Sequence, residues 1–225
     1  MKCHNCIEMT YRLDLTALNA RELKRLLPGD FTTAPVLAGA RLLKKPVFAP
    51  DEFPATLELR LAGEEDWDNL GASLQAASRV KNMRDTLQEL GCVQVGAFRL
   101  ANMPYHRNFF AYTKEADTFA ALYLSDAAGP APYLELFTLF RQERENKIGV
   151  VTSSATITEL DPSQQLIWLP DPGSDVDHVF QLHRSKMLET GKANKSARTV
   201  EDFTKAFLTI QNTNYASWLA RGVLK

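Results

Sequence analysis

Residues 133–140, YLELFTLF, limit most strongly what this chain can fold into. A strand with one face in water alternates apolar and polar side chains. Here Tyr133, Glu135, Phe137 and Leu139 form one parity, and Leu134, Leu136, Thr138 and Phe140 the other. Residues 118–124 load both sides in the same way, with Ala120, Leu122 and Leu124 against Phe119, Ala121 and Tyr123. So do Phe109, Phe110, Ala111 and Tyr112. Leaving such side chains in water forgoes roughly 1.5–3 kcal/mol each. Both faces of this sheet must therefore be covered.

Three covers are available. Helices on both sides are the simplest, with residues 65–90 for one face and 175–190 plus 200–221 for the other. A second copy packed face to face would make a homodimer. A face left partly open would form an apolar pocket for a small, largely apolar ligand. Tyr112, Tyr123, Tyr133 and Glu135 would then supply its polar contacts. A glutamate inside such an apolar row belongs at a sheet edge, the commoner arrangement, or at a site.

The strands read from the pattern are 92–100, 107–113, 117–124, 132–141 and 147–157, with a short sixth at 165–169. Their links are short and polar or carry Gly and Pro, as antiparallel connections do. Parallel neighbours need crossovers of about a dozen residues or more. The expected fold is therefore α+β: an antiparallel meander of five to six strands flanked by helices, with an N-terminal helical extension. Residues 1–63 form that helical and extended segment and 64–225 the α+β domain, or the whole chain is a single domain.

Local signals place the other elements. Asn19, with Glu22 three residues on, caps a short helix over 20–27. An apolar piece, helical or irregular, covers 35–43. Pro46, Pro50 and Pro54 punctuate an extended linker. TLELRL, 56–61, alternates as a half-exposed strand. Residues 65–90 carry apolar positions at helical spacing, in one piece or in two broken near Ser78, and Gly91 suits a left-handed helix end. Ser174 with Asp177 fits a cap for a helix to Gly191, and Thr199 caps a last helix to about 221.

Charge and composition exclude some functions. Lys and Arg total 26 and Asp and Glu 27, so whole-chain charge gives no case for nucleic acid. The first fifty residues hold eight Lys/Arg against four Asp/Glu, while residues 51–68 hold seven acids against Arg60. Such neighbouring blocks attract each other or form solvated faces, and the alternative is an anionic partner for the basic one. No apolar run reaches the roughly 18 residues of a membrane span, and no secretory signal is legible. Cys3, Cys6 and Cys92 do not make a disulfide framework, so a cytoplasmic setting is expected.

Few residues announce chemistry. Cys3 and Cys6 stand two residues apart in CHNC, half of a structural zinc site that wants four ligands. His178 and His183, about 140° apart on a helix, diverge and cannot complete it. A frayed terminus is the plainer reading; zinc shared between two chains, or a dithiol redox pair, is the functional one. His106 and Arg107 lie between two strands, where an anion contact or acid–base work is conceivable and a solvated loop is the rule. His183, on an apolar stripe, reads as a core residue. VTSSAT, 151–156, is ordinary β composition or a hydroxyl-rich anion contact. Phosphate-loop, nucleophile-elbow, dinucleotide and zinc-protease motifs are absent.

The leading expectation is a binding or regulatory domain without catalysis, acting through an apolar sheet face toward a small ligand or itself. One alternative is an enzyme on a small organic substrate, using His106 with Arg107, or Glu135. Another is a protein–protein or membrane-proximal accessory module, which needs an exposed basic or apolar patch around residues 21–45.

Overall fold

The computed structural model describes residues 10–27, 33–55, 57–62, 74–101, 108–114, 117–124, 131–156, 160–190 and 198–225. Strand β1 (Thr10–Asp14) is followed by a 3-10 turn (Leu15–Ala17), α1 (Ala20–Leu26), α2 (Thr33–Leu42), β2 (Phe48–Pro54) and β3 (Glu58–Leu61). Next come α3 (Leu74–Glu89), β4 (Val93–Ala101), β5 (Asn108–Lys114), β6 (Thr118–Tyr123), β7 (Tyr133–Arg144), β8 (Lys147–Ser153) and β9 (Leu166–Pro170). Helices α4 (Val176–Thr190) and α5 (Val200–Ala220) close the chain.

The main sheet has seven strands in sequence order, β3 to β9. The α+β class holds, but the sheet is larger than five to six strands, and it is mixed. Every neighbouring pair is antiparallel except β8 with β9, which run parallel, Gly149 opposite Leu166 and Ser153 opposite Pro170. Residues 154–165 supply the dozen-residue return that a parallel pair requires. The β7–β8 turn is two residues, Glu145 (φ 54°) and Asn146 (φ 59°), both left-handed as a tight hairpin demands.

Helices cover both faces, in a different arrangement from the one expected. Phe98, Phe109, Phe119, Phe137 and Val151 line one face, beneath Phe203, Phe207 and Ile210 of α5. Phe110, Tyr112, Leu122, Leu134 and Leu136 line the other, with Met83 and Leu87 of α3 and Val176 and Val179 of α4. Helix α4 thus shares its face with α3 instead of with α5. The partner on the α5 side is a ribbon of β1 with β2, Tyr11 opposite Phe53, in which Leu13 also bridges to Leu224. The proline-punctuated linker is therefore partly a strand, tolerated because β2 is an edge.

Caps follow the local pattern at two helices. Asn19 and Glu22 close a capping box on α1, as Thr199 and Asp202 do on α5. At α4 the cap is Asp175, which accepts from His178 N at 2.9 Å, in place of Ser174 with Asp177. Helix α3 runs unbroken through Ser78, and Gly91 after it has φ 80°. β3, from the segment placed at 1–63, pairs with β4 of the main sheet. Fully buried Glu22 accepts from Arg221 at 2.6 Å, joining α1 to the end of α5.

Gly149 is required by a close approach. A Cβ there would stand 2.4 Å from the Thr138 carbonyl oxygen, a backbone atom that cannot step aside. Gly149→Ala is expected to destabilise the protein by about 2 kcal/mol or more, read as a lower urea midpoint at unchanged slope.

Candidate functional site

The site grows from cross-strand register. Tyr123 at the end of β6 lies opposite Tyr133 at the start of β7, and Ala121 lies opposite Glu135. Across the other edge of β7, Glu135 faces Ser153 of β8. Glu135 thus sits between two small neighbours, a methyl on one side and a hydroxymethyl on the other. The tyrosine rings stack at 4.5 Å between centroids and 13° between planes.

This placement revises the reading of Glu135. A carboxyl at a sheet edge would be solvated, but β7 has β6 on one side and β8 on the other. Ser153 Oγ donates to Glu135 Oε1 at 3.2 Å, and the Tyr123 hydroxyl donates to the same carboxyl. Burial disfavours the ionised form and outweighs both donors, so the carboxyl is pushed up to about 7. Burial, and then the neighbouring carboxylate, holds the Tyr123 phenol well above its ordinary range. Tyr123, Ser153 and Ala121 are buried, whereas Tyr133 and Glu135 are half-buried. Any molecule reaching the cluster meets Tyr133 and Glu135 first.

Tyr112 does not belong to this group. It pairs with Ala120 on the opposite parity and is fully buried on the α3–α4 face. Among the described residues its hydroxyl makes no hydrogen bond of good geometry, although the Arg84 guanidinium stands close enough to pull its pKa down against burial, which raises it. Arg84 lies over the Phe110 ring at 4.4 Å and reaches Gln94 at 3.3 Å.

His183 is a satisfied core residue. Its Nε2 lies 3.0 Å from Thr138 Oγ1 and its Nδ1 2.9 Å from Thr152 Oγ1. Burial lowers the imidazole to about 4, against a smaller opposing pull from Asp117. Three of the four hydroxyls of the VTSSAT stretch are engaged internally: Thr152 with His183, Ser153 with Glu135, and Ser154 with the backbone of Leu134, while Thr156 is exposed. Ser153 is the residue that sequence reasoning did not single out for the site, because its contact depends on the β7–β8 register.

His106, Arg107, Cys3 and Cys6 lie outside the described residues. Among the described residues no group of three or more His, Cys, Asp or Glu is placed to hold a metal ion. No described helix is long and apolar enough to cross a membrane. The chain matches no family model, no curated protein and no solved structure.

Proposed function

We propose that this chain is a binding domain for a small, largely apolar organic molecule that carries one polar group. The molecule docks against Tyr133 and is held by Glu135. The observation that carries this reading is a carboxyl on an interior strand, backed by Tyr123 and Ser153 and raised to about 7. Burying a carboxyl among aromatic side chains works against folding, and such perturbed groups gather at functional sites. Helices on both sheet faces favour the end of the sheet over self-association through a face.

A second reading is proton transfer. A carboxyl near neutrality is divided between its acid and base forms, which suits general acid–base work on a bound substrate. The two readings separate on one variant. Glu135→Gln keeps the shape of the side chain and removes its titration. In a binding domain it shifts ligand affinity and the pH dependence of that affinity. In an enzyme it abolishes turnover while binding persists.

Native mass spectrometry of the purified protein is the first experiment. A small-molecule mass on the wild type, absent from Tyr133→Ala and reduced in Glu135→Gln, is the expected result. An apo mass, together with no thermal shift against a panel of small aromatic acids, phenols and amines, would overturn the binding reading.

A further inference from the structure

Helix α2 stands out because so little of it is packed. Leu37, 3% exposed, is its one buried residue, while Val36, Leu42 and Leu43 are 61%, 86% and 69% exposed. At about 100° per residue, Pro35, Val36, Leu42 and Leu43 each stand roughly 100–160° round the helix from Leu37. The side turned away from the body is thus apolar. Arg41 ties the helix down from the inner side, donating to the carbonyls of Thr16 (2.9 Å) and Leu18 (2.5 Å).

The described charges on this helix and just after it have one sign. No Asp or Glu occurs from Phe31 to Pro50, and Lys44 and Lys45 follow the helix directly, both exposed. Of the acids on the neighbouring described elements, Glu22 pairs with Arg221, Asp14 with Lys225 at 2.6 Å and Asp161 with Arg25, while Asp30, three residues before α2, lies outside the described residues. Glu52 sits toward the far end of the ribbon, opposite Arg12, and accepts from Thr10.

We infer that α2 docks on an anionic lipid surface. Pro35, Val36, Leu42 and Leu43 enter the boundary between headgroups and acyl chains, and Lys44 and Lys45 meet the phosphates. A short helix with an apolar outer face and flanking lysines is the form of an interfacial anchor. Basic side chains beside the surface add electrostatic attraction that falls off within a Debye length. An outward-facing helix presents no groove for a peptide, whereas a fluid lipid surface conforms to it. This inference is independent of the Glu135 site.

Vesicle cosedimentation of the whole chain tests it. The protein is expected to pellet with phosphatidylcholine vesicles containing about one third phosphatidylserine and to remain in the supernatant with phosphatidylcholine alone. Added salt weakens the binding. Leu42→Ser with Leu43→Ser, and separately Lys44→Glu with Lys45→Glu, each lower partitioning by about tenfold or more. Both double variants keep the wild-type melting temperature, because the side chains are exposed. Leu188→Ser, altering a leucine 76% exposed on α4, leaves partitioning unchanged. Failure to pellet with the anionic vesicles, equal binding to neutral ones, or indifference to the leucine variants overturns the inference. A concentration-dependent dimer that the leucine variants dissolve, without pelleting, assigns the face to a second copy and overturns it too.

Discussion

Replacing Phe203 with alanine is expected to destabilise the protein by about 4 kcal/mol. Phe203 is fully buried at the start of α5 and touches rings from four strands. Phe98 and Phe207 stack on it at 5.5 and 5.8 Å, Phe119 meets it edge-on at 5.8 Å, and Phe137 and Phe109 lie at 5.5 and 6.0 Å. Truncation removes the transferred area, leaves a cavity that the rigid sheet cannot close, and forfeits the ring pairs. Urea unfolding would show a much lower midpoint. By contrast Thr199→Ala, which deletes only the cap of the same helix, is expected to cost about 1 kcal/mol. A Phe203 variant no worse than the cap variant would mean that α5 does not seal this face.

Phe203 also marks what could be read from the chain alone. Two apolar parities on β5, β6 and β7 demanded covered faces, and the heavy apolar side of 200–221 offered a cover. The capping box of α1 and the Thr199 cap of α5 were legible because each depends on a few consecutive residues, although the reciprocal Asp202 was not singled out. What could not be read depends on pairings between distant residues. Tyr11 meets Phe53 across more than forty positions, so Pro50 and Pro54 looked like linker. The parallel β9 was hidden because its direction depends on how residues 154–165 return. The candidate site divides in the same way. Tyr123, Tyr133 and Glu135 converge because β6 and β7 happen to pair in one register, while Tyr112 falls on the other parity. Glu135 looked like an edge residue because its row was judged on side-chain polarity alone, although the short links of the meander already put strands 117–124 and 147–157 on either side of it.

The pH dependence of stability holds two opposed contributions of similar size. Glu135 is raised from 4.5 to about 7 in the fold. The folded state therefore keeps a proton that the unfolded chain releases, and this contribution, complete below pH 4.5, is lost as pH rises through 7. His183 is lowered from 6.5 to about 4. Its contribution is complete above pH 6.5 and is lost as pH falls through 4. Each amounts to about 3 kcal/mol. Across pH 4.5–6.5 the two nearly cancel, and the wild type is expected to be almost flat there. Below pH 4 the stability falls further. There Asp14 and Asp161, raised by burial but lowered more by their bonds to Lys225 and Arg25, must be protonated. Glu135→Gln removes one side of the balance, so its stability should climb by about 3 kcal/mol from pH 4 to 6.5. His183→Gln should do the reverse and lose about as much from pH 4.5 to 7. Urea midpoints at four or five pH values, compared as slopes, separate this from any uniform loss of stability in the variants. A Glu135→Gln profile parallel to the wild type would place the carboxyl in water and remove the central support for a ligand site at the end of the sheet.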